Sequence, residues 1–224
     1  GAHTDDVVIT NTTSGFAQHR HVELSVAPAQ TVYVSGLPVV PGDITIDPAT
    51  RTIYFAAEWD WDGDLYEIAP DRTVSLVASN FATGIGSGYA SSDIQFYNDR
   101  VYTILYFGEL LEIDPATGIS VVVYTFAGTE YLTGLDIRGG DFLATDGNGS
   151  ADSLRSYDPV GMVESLLVPG LPTFSYGLEY DADGDEVYFA ADYGFYRADI
   201  VGGTYTAVSY GAYSGYGNFA VSPD

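Results

Sequence analysis

The chain has no cysteine and no lysine, and it has a single methionine and two tryptophans. Without cysteine there are no disulfide staples and no thiolate chemistry, so burial and hydrogen bonding must hold the fold, and the redox compartment stays open. No apolar run approaches the ~20 residues that a membrane-spanning helix needs, which argues against membrane insertion. Basic residues are scarce. Seven arginines face 31 acids, for a formal net charge of −24. Such a surface repels phosphate backbones and anionic lipid, which excludes nucleic acid as a partner, and it favours solubility and attracts cations. No basic, then apolar, leader opens the chain; the expected location is extracellular or periplasmic, with an export signal removed upstream.

What is abundant points to a β protein. Apolar residues make up 46% of 224 residues, with 26 glycines and 19 tyrosines. That is enough to bury a core in one domain, residues 1–224. Short β-branched and aromatic runs recur at intervals of about 45 residues: Val7–Thr10, Ile53–Ala56, Val101–Ile104, Phe142–Thr145 and Val187–Ala190. Each is followed by a second run closing on a turn, as in Leu110-Leu111-Glu112-Ile113-Asp114-Pro115, where proline presets φ, and then by a third run such as Val121–Tyr124. A further strand precedes each: Asp43–Ile46, Asp93–Phe96, Gly134–Ile137 and Gly177–Tyr180, with a fifth copy, Asn218–Val221, near residue 224.

Four strands per period of this length are the signature of propeller blades. The expectation is a five-bladed β-propeller of four-stranded antiparallel blades, spanning 38–80, 81–127, 128–170, 171–216, and a composite blade of 1–37 with 217–224. N-terminal strands pairing with the C-terminal strand would close that ring and remove free edges. The repeats resemble those of the YVTN, NHL and SMP-30-like propeller families along the whole chain. Such folds host lyases, lactonases, lectins and scaffolds, so the resemblance implies architecture and leaves activity open.

With strands lettered A to D from the axis outward, the D–A and B–C connections are expected on one face, the usual ligand face. Glu58-Trp59-Asp60-Trp61-Asp62-Gly63-Asp64 is a B–C connection, as are Asp146–Asp152, Asp192–Gly194 and Thr12–His21. Asp181-Ala182-Asp183-Gly184-Asp185 looks alike but falls in an A–B hairpin on the opposite face. As a calcium loop the 58–64 stretch is partial: counting Glu58 as position 1 puts Ala69 where a bidentate glutamate belongs. Ca2+ on Asp60, Asp62 and Asp64 would need ligands from another loop. A second candidate cation site is a polar ring at the axis, Asp43, Asp93 and Asn218, which begin three inner strands; the alternative is that these side chains satisfy strand-starting N–H groups.

The D–A loops carry Tyr89, Tyr131, Phe174, Tyr176, Tyr213 and Tyr216, flat apolar rings with a hydroxyl handle. With Trp59, Trp61, Asp146 and Asp192 they form the expected ligand surface. His19 and His21 have a zinc-compatible spacing but lack an evident third ligand. No nucleophile–base set or phosphate-cradling glycine loop stands out. The leading expectation is a non-enzymatic module that binds a glycan or a protein, with Ca2+ assistance. Alternatives are a lactonase-like hydrolase with a channel-mouth cation and Glu179 or Asp136 as base, and a structural or oligomer-forming scaffold.

Overall fold

The computed structural model describes residues 2–10, 17–25, 33–57, 63–82, 90–105, 107–128, 131–147, 152–172, 175–191 and 194–210. The chain forms two compact units, Gly1–Gly36 and Leu37–Asp224. In the first, β1 (Ala2–Thr10) and β2 (Ala17–Ser25) form an antiparallel hairpin that pairs Val7 with Arg20. The sequence repeat instead sets Val7 against Val26 and treats Thr12–His21 as a connection. The difference has a local reason: no glycine or proline lies between Phe16 and Ala27, so nothing stops the strand from running through Ala17–His21.

The second unit holds four antiparallel four-stranded sheets, each in sequence order. These are β3–β6 (Pro41–Ile46, Ile53–Ala57, Leu65–Ile68, Val74–Ala78) and β7–β10 (Ala90–Tyr97, Arg100–Leu105, Glu109–Asp114, Ile119–Thr125). They are followed by β11–β14 (Leu132–Arg138, Asp141–Asp146, Ser153–Asp158, Val163–Pro169) and β15–β18 (Ser175–Asp181, Glu186–Ala191, Gly194–Asp199, Thr204–Tyr210). The first strands β3, β7, β11 and β15 lie side by side, and no comparable packing returns from β15 to β3. Four blades are therefore present among the described residues where five were expected. The residues expected to form the fifth are 1–37, which belong to the other unit, and 217–224, which lie outside the described residues.

The core lies between blades. Along β8, Val101 and Leu105 join Tyr54, Ala56 and Leu65 of the preceding blade, while Tyr102 and Ile104 join Leu132, Leu135 and Phe142 of the next. The two-residue period of a strand sends alternate side chains to opposite neighbours, so a second strand is apolar throughout. The same parity places Leu143 and Leu154 against Val187 and Phe189. Outer strands meet solvent instead: Leu76, Val121, Leu166 and Val208 are exposed.

Candidate functional site

Pairings of Pro41 with Ala57, Ala56 with Leu65 and Leu65 with Ala78 put the D–A and B–C connections at one end of the first blade. Successive inner strands run in phase, since Asp43 meets the residue after Asp93 and Thr45 the residue after Gln95. Their aligned ends gather these connections on one face. Below that face a corner recurs that the sequence reading missed. The Phe81 N–H donates to the Gly63 carbonyl (2.9 Å), Phe126 to Gly108 (2.8 Å) and Leu171 to Asp152 (2.7 Å). Phe81, Phe126 and Leu171 are buried, each an apolar side chain a few residues past an outer strand. The signal was present as that repeated apolar residue.

Most of the expected ligand surface belongs to these connections in the sequence repeat. Trp59, Asp60, Trp61, Asp62, Tyr89, Asp192, Tyr213, Tyr216 and Asn218 lie outside the described residues. Tyr131 is half-buried at the start of β11, and its carbonyl accepts the Gly147 N–H at 2.7 Å. Tyr176 lies on β15, with only its backbone described. Asp146, expected at the surface, is buried at 2% exposure. Asp152, which ends the same expected B–C connection, is fully buried, and its carboxylate accepts the Ser175 N–H at 3.1 Å. Asp64 accepts the Asn80 N–H (3.1 Å) and the Tyr66 hydroxyl (3.2 Å), tying its B–C connection to the end of the outer strand.

At the axis the carboxylates act as staples. The Ile94 N–H donates to Asp43 (2.9 Å), the Leu135 N–H to Asp93 (2.8 Å), the Phe96 N–H to the Thr45 hydroxyl (2.9 Å) and the Tyr180 N–H to Asp136 (2.5 Å). In each case a side chain on one inner strand accepts the N–H one position further on in the next blade. Gln95 breaks the rule by donating to the Leu135 carbonyl, and Gly134 has no side chain to offer. Gly134 is required by packing: a Cβ there would meet the Thr145 hydroxyl at 2.5 Å and the Leu178 Cβ at 2.9 Å. Thus Asp43 and Asp93, expected as cation ligands, each use one carboxylate oxygen to accept an N–H of the next blade.

Asp136, considered as a base, also accepts the Ile137 N–H at 2.7 Å. Burial raises its carboxyl to about 6, the two backbone hydrogen bonds pull the other way, and Asp43 adds repulsion. Glu179 is half-buried beside it in the repeat. Among the described residues no three His, Asp or Glu side chains are grouped so as to hold a metal ion.

The opposite face is closed by ion pairs. Arg138 Nε and Nη2 donate to Asp185 at 2.7 Å each, across two blades, and the Tyr180 hydroxyl joins at 2.8 Å. Asp181 accepts the Asp183 N–H at 3.0 Å. The 181–185 stretch is a turn and an inter-blade clamp.

No protein-family model matches the sequence, and a search of characterised proteins gives no match. Solved structures do match. One is the "Nidogen/Laminin Complex", with a TM-score of 0.65 and 10% identity, covering 80% of this chain and 67% of that one. Another is a structural-genomics protein from Bacteroides thetaiotaomicron, with a TM-score of 0.63 and 12% identity, covering 92% of this chain and 56% of that one. The fold is a β-propeller. At such identity the likeness is one of fold. The propeller's blades set the framework, and no helix among the described residues is long and apolar enough to cross a membrane.

Proposed function

We propose that this propeller is a non-enzymatic binding module that engages a protein partner through the face bearing its B–C and D–A connections. One observation carries the reading: the paired strands put the B–C and D–A connections at one end of the blade, while the axial carboxylates are used between blades. The proposal takes Trp59, Trp61, Tyr89, Tyr131 and Tyr213, which fall in those connections of the sequence repeat, as the contact surface. Rigid aromatic side chains give large contact area at low entropic cost. The same reading takes the frame as a five-bladed ring, with 1–37 and 217–224 supplying the fifth blade, and places the protein outside the cytoplasm. The reading includes Ca2+ held by Asp60, Asp62 and Asp64, which would tie the tryptophan loop together.

The test compares the parent, a Trp59→Ala/Trp61→Ala variant and an Asp183→Ala variant on the opposite face, against a panel of purified secreted proteins and a glycan array. Saturable binding to a protein, lost with the tryptophans and kept by Asp183→Ala, is the expected result. Binding confined to glycans, or turnover of an ester or lactone panel, overturns it.

A further inference from the structure

We infer that the exposed flank of β3 is the docking site for the chain's own C-terminal strand, Asn218–Val221, and that the Asn218 carboxamide accepts the Ile44 N–H. The inference rests on the five-blade reading and names the atoms that would close it.

The flank is anomalous within its own repeat. Ile44 corresponds to Ile94, Leu135 and Leu178, which are 0%, 0% and 5% exposed because each packs on the blade before it. Ile44 is 62% exposed. Ile46 corresponds to Phe96, Ile137 and Tyr180, all packed on a preceding blade, and is 49% exposed. Two adjacent apolar positions that every other blade covers are open here. Covering what the two leave exposed is worth roughly the transfer of one isoleucine side chain from water, which favours an occupant.

The chain supplies one with matching sequence. Asn218-Phe219-Ala220-Val221-Ser222-Pro223 repeats the pattern of Asp43-Ile44-Thr45-Ile46-Asp47-Pro48: a polar start, apolar residues at the second and fourth places, and a proline opening the hairpin turn. The connection has the right length, since residues 211–217 would join β18 to Asn218 where 126–133 and 170–176 lead to the equivalent Gly134 and Gly177. The donor is also set. Ile44 pairs with Phe55 as Ile94 pairs with Thr103, and the Ile94 N–H turns away from its sheet toward Asp43 of the preceding inner strand. For Ile44 that residue is Asn218. Ala220, which stands where Thr45 does, offers no acceptor, so Ile46 receives packing without a staple.

Two measurements decide the matter. The chain has no cysteine, so Ile44→Cys/Asn218→Cys carries a single pair. At the equivalent positions an ideal Cβ on Gly134 faces the Leu178 Cβ at 2.9 Å, so the two sites point at each other, and a cysteine pair would have to part by about 1 Å to reach the ~3.8 Å that a disulfide spans. Mild oxidation should give an intramolecular disulfide in the monomer, seen by intact mass and non-reducing electrophoresis. Disulfide-linked dimers would show that a second copy occupies the flank, and folded protein with free thiols would show that the strand is elsewhere; either overturns the proposal. Should that variant fail to fold, amide exchange in the parent decides: a protected Ile44 N–H is expected, and Asn218→Ala should speed its exchange about tenfold, as for loss of one hydrogen bond, leaving the Ile94 N–H unchanged. An unprotected Ile44 N–H overturns docking and the five-blade reading together; a protected one indifferent to Asn218→Ala removes the staple and leaves five blades standing.

Discussion

Asp93 shows how one side chain can hold two blades. It is 3% exposed and accepts the Leu135 N–H from a strand 42 residues away. Asp93→Ala leaves that N–H without its acceptor, at a cost of about 1–3 kcal/mol in urea unfolding, while Asp93→Asn keeps an acceptor and costs less. Equal midpoints for alanine variant and parent would refute the staple. Asp136 makes the same kind of bond with its carboxyl raised to about 6. Its folded value lies above the ordinary 3.8, so the folded state holds the proton more tightly, and the stability it contributes is full below about pH 4 and is lost as pH rises through about 6. Asp136→Asn stays neutral and keeps an acceptor oxygen. Relative to this variant, the parent's urea midpoint should fall between pH 4 and 6.5; parallel curves would show that the site does not titrate there. Other carboxylates act in the opposite sense, such as Asp185, which its Arg138 bonds hold below the usual range, and they cancel in that comparison.

At the scale of elements, the C–D turns pack against neighbouring outer strands. Gly118 has φ +71°, and a Cβ there would meet the Val77 carbonyl of the preceding blade at 2.4 Å. Gly128 has φ +68° with nothing within 4 Å. Both alanine variants suffer the left-handed backbone, but only Gly118→Ala must push a blade aside. It should be the less stable of the two by about 1–3 kcal/mol, and equal losses would show that the turn does not bear on its neighbour. The elements themselves were legible in sequence because β-branched and aromatic runs, separated by turn residues, state their own period. The hairpin register was not, because pairing Val7 with Arg20 depends on how far β2 extends.

For the whole molecule the dominant electrostatic fact is a net charge of −24. Arg100, Arg138, Arg155 and Arg197 pair with acids, yet 31 acids far outnumber the seven arginines. Self-repulsion should therefore be relieved by salt, and the thermal midpoint should rise as NaCl increases from about 0.02 to 0.5 M and the Debye length contracts. A midpoint that falls across that range would mean that attractive pairs dominate.

Within the four described blades, the sequence by itself determined the strands and their order, because these follow from local alternation repeated at a fixed period. It also separated the two acidic stretches, Glu58–Asp64 and Asp181–Asp185, onto opposite faces. Only the tertiary structure decided what the inner-strand carboxylates do. The N–H that Asp43 accepts lies 51 residues away and the one Asp136 accepts 44 away, and each is present only once the next blade has packed alongside. The residue type permits a cation ligand or a staple, and the neighbouring strand's unpaired donor selects the staple.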